Sequence, residues 1–146
     1  MTARLLLAAL LAAPAAAQDV THHDSGMFEG LDLPFSEAVE VDGTVYLSGR
    51  IGVEPGTLSL VEGGMEAEAR QTMDNIGRTL EAAGLGFGDA VKCIVMLADM
   101  ADWPAFNAVY VDYFEAPYPA RSALGANGLA LGARVEVECL AVRTEG

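Results

Sequence analysis

Arg134-Val135-Glu136-Val137-Glu138-Cys139-Leu140-Ala141-Val142-Arg143 is the stretch that decides the fold. Successive side chains of a strand point to opposite faces. Val135, Val137, Cys139 and Ala141 therefore share one face, which is uniformly apolar. Arg134, Glu136, Glu138, Leu140 and Val142 share the other, which mixes carboxylates with aliphatics. The first face suits a sheet lying under helices. The second suits a subunit interface that contains a polar pocket.

Working outward from this strand, the same periodicities recur upstream. Ala38–Val41 and Thr44–Leu47 flank Asp42-Gly43, a hairpin signal because both central turn positions need φ > 0. Gly49–Gly64 reads as loop, with Pro55-Gly56 as a turn. Met65, Ala69, Met73, Ile76 and Leu80 recur at spacings of three and four, which predicts an amphipathic helix over Met65–Ala83 ended by Gly84. Asp89–Ala98 reads as a strand. Asp102-Trp103-Pro104 opens a second helix, with Asp102 as N-cap and Pro104 in the first turn, running to about Phe114. Pro117 and Pro119 interrupt the chain before a short strand at Arg121–Gly125, and Asn127-Gly128 makes a turn before the last strand. The order β-β-α-β-α-β-β calls for crossover connections and an α+β fold, a mixed sheet with two helices packed on one face.

The N-terminal region reads differently. Arg4, the apolar run Leu5–Ala13 and the small residues Ala15–Ala17 have the layout of a secretory signal peptide, cut ahead of Gln18. The run is too short for a bilayer span, which needs ~20 residues, so the expectation is export to the periplasm or medium with no membrane attachment after cleavage. The domain organisation is then 1–17 signal peptide, 18–34 a polar mobile arm, and 35–146 the folded domain. His22-His23 falls in the arm and reads as solvated rather than as a ligand pair.

The chain has 146 residues, 21 Asp and Glu against 8 Lys and Arg, and a formal charge of −13. Lys92 is its only lysine. Such a surface repels nucleic-acid phosphates and anionic lipid. Cys93 and Cys139 both fall in the apolar register of strands. They read either as two buried thiols or, if the two strands are neighbours in an oxidising compartment, as a disulfide. Two cysteines and an adjacent histidine pair do not make an ordinary four-ligand zinc site without carboxylates. Gly84-Leu-Gly-Phe-Gly88 has the wrong spacing for a phosphate loop, and no G-x-S-x-G elbow is present. Two residues remain. Arg121 follows a proline-stiffened turn, and Glu136 lies off the apolar register of its strand. A bidentate carboxylate clamp and an interface salt bridge both fit that pair.

Val45-Tyr46-Leu47-Ser48-Gly49, Arg70-Gln-Thr-Met-Asp-Asn-Ile-Gly77, Leu80-Glu-Ala-Ala-Gly84, Phe106-Asn-Ala-Val-Tyr110, Pro119-Ala-Arg-Ser122 and Val135-Glu-Val-Glu-Cys-Leu-Ala-Val142 together resemble the RidA (YjgF) family of reactive-intermediate deaminases, over about Leu33 to Arg143. The resemblance implies a chorismate mutase-like fold and a homotrimer with sheets inside, helices outside and ligand clefts at the subunit interfaces. It implies hydrolysis of enamine and imine intermediates to 2-keto acids and ammonia, the reaction of a 2-iminobutanoate/2-iminopropanoate deaminase, with no metal or organic cofactor. Arg121 falls on the arginine that binds the substrate carboxylate, and Glu136 on the glutamate that positions water. Ser48, Gly49, Asn107 and the backbone of Ala123 fall on substrate-binding positions. Phe35 stands where deaminase members often carry tyrosine. Arg50 stands where glutamine is common, which adds a second cation near the cleft. Two alternatives compete with catalysis: a non-catalytic trimer that binds small carboxylates or partner proteins, and a ribonuclease, a label some relatives carry. The net charge opposes the second.

Overall fold

The Asp42-Gly43 turn has φ of 49° and 78° at its two residues, and it joins β2 (Ala38–Val41) to β3 (Thr44–Leu47). A computed structural model describes residues 18–144 of the chain; the segment 1–17, expected from sequence to be a signal peptide, lies outside the described residues. Beyond the hairpin come α1 (Gly64–Ala82), β4 (Ala90–Leu97), α2 (Trp103–Tyr110), β5 (Ala120–Gly125) and β6 (Val135–Val142). One strand precedes them. Val20–His23 forms β1, antiparallel to β2, with Val20 opposite Val41 and His23 opposite Ala38.

The six strands lie in the order β1-β2-β3-β6-β4-β5. All neighbours are antiparallel except β4 and β5. β3 and β4 both pair antiparallel with β6, so they run the same way, and α1 is their crossover. α2 is the crossover between β4 and β5. Both helices sit on one face, as the α+β reading expects. Met65, Ala69, Met73, Ile76 and Leu80 of α1 are all buried, as are Phe106, Val109 and Tyr110 of α2. They pack on Val45, Val95, Val135 and Val137 from the sheet. Removing one such large side chain from water is worth roughly 1.5–3 kcal/mol.

The last strand divides as its alternation requires. Val135, Val137, Cys139 and Ala141 are buried, whereas none of Glu136, Glu138, Leu140 and Val142 is. The open face continues through Tyr46 of β3, Ile94 and Met96 of β4 and Leu124 of β5, and none of these is buried.

Three local expectations are corrected, and one open alternative is decided. The arm 18–34 is not free chain: β1 pairs with β2, and His23 Nε2 lies 2.8 Å from Glu40 Oε2. Four residues are too few to show an alternation, and this pairing is set by a partner across the sheet. The second helix ends at Tyr110 rather than Phe114, although Phe114 stays in the core beyond it. Asp102 does not cap α2. A 3-10 turn, Met100–Asp102, feeds straight into the helix, so Asp102 already has helical backbone angles and its carboxylate takes Arg134 Nη1 at 3.2 Å. The capping side chain is Asp99, which accepts from Ala101 N. Finally, of the two readings of the cysteines the structure holds the disulfide. Cys93 and Cys139 lie directly opposite each other on β4 and β6, bonded at 2.06 Å.

Candidate active site

Glu136 is held in place by the start of its strand. The buried Glu68 of α1 accepts hydrogen bonds from Arg134 N at 2.5 Å and Val135 N at 3.4 Å, pinning β6 to the helix. Two residues on, Val137 exchanges both backbone hydrogen bonds with Arg50, each 2.9 Å, which brings the Ser48-Gly49-Arg50 segment alongside. Gly49 then lies against the Glu136 carboxyl. A methyl group at Gly49 would run into Glu136 Oε1 and stand 3.0 Å from Cδ. With Glu136 in this rotamer, only a residue without a Cβ fits there.

Phe35, Gly49 and Glu136 border one cleft of about 310 Å³. Glu136 forms no ion pair among the described residues. Burial, and then the neighbouring Glu138, raise its pKa above the ordinary carboxylate value. Ser48 sits beside Gly49, but its hydroxyl donates to Ser36 O at 2.6 Å and its N–H to Glu37 O, so it holds the 36–37 segment in place.

Arg50 corrects an expectation. It is not a free second cation. It is 2% exposed, and its Nη2 donates to Glu37 Oε2 at 2.8 Å and to Thr79 Oγ1 at 2.8 Å. Phe28 covers it, with the ring centroid 5.4 Å from Cζ. Burial pulls its pKa down while Glu37 supports the charged form. The pair is neutral overall, so it adds no net charge to the cleft. Its sequence signal was a charged residue on each of two segments that otherwise turn apolar side chains inward.

Asn107 and Arg121 border a second cleft, of about 350 Å³, with Tyr110, Tyr118 and Pro119. Arg121 starts β5 and is paired in register with Cys93, so its side chain leaves the sheet on the helix side. Its guanidinium lies 4.7 Å from the Trp103 ring centroid and 4.5 Å from that of Tyr110. These rings are two turns apart on α2, and the guanidinium lies between them. Cation–π contact holds it there without neutralising it, and among the described residues no carboxylate pairs with it. The aromatic pair was not anticipated from the sequence. Ala123, two residues along β5, shares the Arg121 face.

The residues identified from sequence thus fall into two groups. Arg121 shares the helix face with Cys93 and Cys139, and Glu136 belongs to the open face with Met96. One chain does not bring them together. Among the described residues no three His, Cys, Asp or Glu side chains converge as a metal site would need, and no helix is long and apolar enough to cross a membrane.

Comparison with known proteins gives the chain's family. The family model described as Endoribonuclease L-PSP matches residues 31–143. A goat protein named 2-iminobutanoate/2-iminopropanoate deaminase is 47% identical over 110 residues, covering 75% of this chain and 80% of that one. Among solved structures, RidA from an Antarctic Psychrobacter superposes with a TM-score of 0.78 at 36% identity, covering 84% of this chain and 99% of that one. Escherichia coli TdcF with bound serine gives 0.78 at 30% identity, covering 85% and 99%. A mixed sheet with two helices on one face, carrying these blocks in this order, defines a chorismate mutase-like α+β protein. The chain belongs to the RidA (YjgF) family.

Proposed function

We propose that this protein hydrolyses reactive enamine and imine intermediates to 2-keto acids and ammonia, in clefts each completed by a second copy of the chain in a homotrimer. The observation that carries the reading is the separation of Arg121 from Glu136. Each lies at its own cleft, neither is neutralised by a counter-ion among the described residues, and they occupy opposite faces of one sheet. Closed cyclic assembly of identical copies sets the open face of one against the β5 edge of the next. That arrangement would bring Arg121 of one copy toward Glu136 of another.

The chemistry follows from the side chains. Arg121 holds the substrate carboxylate through two parallel N–H···O bonds. This presents the C=N carbon to a water held by Glu136. Glu136 takes a proton as the water oxygen bonds to carbon, and the C=N π electrons move to nitrogen. With the substrate nitrogen already protonated as the iminium, addition gives an amine; Glu136 returns its proton to that nitrogen, then takes the hydroxyl proton as the C=O bond forms and the C–N bond breaks, and ammonia leaves a keto acid. Raised basicity of the Glu136 carboxylate favours the first transfer. Relatives named as imine deaminases, such as the goat protein, support the same reading. The family model's endoribonuclease description does not suit a chain with a charge of −13.

The test is keto-acid release from freshly generated 2-aminoacrylate, comparing the mature protein with Arg121→Ala. The reading expects release that the variant loses. No release from the unmutated trimer would leave a non-catalytic module that binds small carboxylates. We further propose export through the 1–17 signal segment to the periplasm or medium. Mass spectrometry should find Gln18 as the mature N-terminus, and an intact Met1 or Thr2 would refute it.

A further inference from the structure

The cleft at Glu136 is walled by Phe28, Phe35, Ile51, Leu58 and Leu131, contributed by well-separated parts of the chain. Phe35, Leu58 and Leu131 are 50%, 49% and 55% exposed. Three large apolar side chains converging half-exposed on one carboxylate mark a surface that something apolar covers. The cleft offers little else. Gly49 contributes backbone, and Arg50 spends its donors on Glu37 and Thr79. Among the described residues, Glu136 is thus the cleft's one unengaged charged group.

We infer that the substrates are 2-imino acids with large apolar side chains, of the size of leucine, methionine or phenylalanine, and that the wall formed by Phe35, Leu58 and Leu131 selects them. This rests on the deaminase reading. With the reacting carbon at Glu136 and the carboxylate carried away to Arg121, the remaining substituent on that carbon is the amino-acid side chain. It lies in this cleft, whose volume of about 310 Å³ far exceeds a methyl or ethyl group. The inference also fixes the kind of reaction upstream. Elimination of water from serine or threonine gives side chains of only one or two carbons. A longer, saturated side chain on a C=N carbon arises by two-electron oxidation of the amino acid. The Cα–H leaves as hydride to a flavin or nicotinamide, a proton leaves nitrogen, and the imine forms. Water then adds and ammonia departs as above, with no further oxidant.

The experiment generates imines in situ with a broad-specificity L-amino-acid oxidase and catalase, from alanine, 2-aminobutyrate, leucine and phenylalanine, and measures kcat/KM of the trimer for each. Each buried methylene is worth roughly fourfold, so the leucine and phenylalanine imines should exceed the alanine imine by at least about tenfold. Leu58→Ser and Leu131→Asn should each lower that ratio. Both sites are half-exposed, and asparagine tolerates the positive φ of 58° at residue 131. A ratio near one, or a preference for the alanine imine, overturns the substrate class and leaves the deaminase reading standing. Hydrolysis of none of the imines overturns both. Variants that dissociate while the ratio is unchanged overturn the inference and assign the wall to the subunit contact.

Discussion

Gly49→Ala is a single added methyl group whose consequences follow from the contacts around it. The new Cβ would overlap Glu136 Oε1 and press on Cδ at 3.0 Å and Cγ at 3.2 Å. All three atoms belong to the end of one half-buried side chain, so the backbone need not move. Rotating Glu136 off its rotamer costs about 0.5–1.5 kcal/mol, a small loss of stability. Its effect on turnover is larger. A displacement of about 1 Å at a group that positions a reactant costs on the order of 100-fold. The variant should therefore melt within a few degrees of the unmutated protein and keep its oligomeric state, while kcat for imine hydrolysis falls about 100-fold. KM should change little, because on the proposed mechanism the carboxylate is held by Arg121. Stopped-flow keto-acid release with a parallel thermal melt reads both quantities. Activity within twofold in a folded trimer would refute the assignment of Glu136 as the water-holding group.

Arg121→Lys keeps the charge but loses the planar fork; losing one charge-assisted contact costs ~1.5–3 kcal/mol, so kcat/KM should fall by roughly 10–150-fold, and an unchanged value in an intact trimer would reject the clamp. Glu40, bonded by Arg143 and His23, has its pKa lowered from 4.5 to about 2. Its folded-state pKa is depressed, so its stabilising contribution is complete above pH 4.5 and is lost as pH falls toward 2; denaturation of Glu40→Gln should differ from the unmutated protein at neutral pH and converge with it in acid. Glu37→Ala leaves the buried Arg50 guanidinium without its counter-ion and should destabilise by about 3–5 kcal/mol in urea unfolding, whereas replacing both by glutamine should cost much less.

How far the sequence could be read depended on whether a feature was local. The alternation in Val135–Val142 and the stripe in α1 are written into neighbouring residues, and both faces of the last strand and the buried side of the helix came out as read. The hairpin turn at Asp42-Gly43 is equally local. β1 was missed because Val-Thr-His-His carries no pattern of its own and acquires its conformation from β2. The helix end at Tyr110 was missed because apolar spacing continues to Phe114, which is buried without being helical. Arg121 and Glu136 stood out by type and position. Their placement on opposite faces required knowing that β6 lies between β3 and β4 with β5 at the edge, and that residue 121 aligns with 93, and 93 with 139. Register across a sheet is not encoded in spacing along the chain. The same holds for the Cys93–Cys139 bond and for the Arg50–Glu37 pair, both made by segments that meet only in the fold.

Complementation between two dead variants tests the sharing of the site between copies most directly. Arg121→Ala and Glu136→Gln are each expected to be inactive as pure trimers. When equal amounts are unfolded together and reassembled, a site that, as proposed, draws its arginine from one copy of a cyclic trimer and its glutamate from the next regains both residues in about a quarter of cases. The account predicts recovery of about 25% of the unmutated activity on that basis. A mixture that exchanges subunits, as native mass spectrometry would verify, yet stays inactive would contradict it.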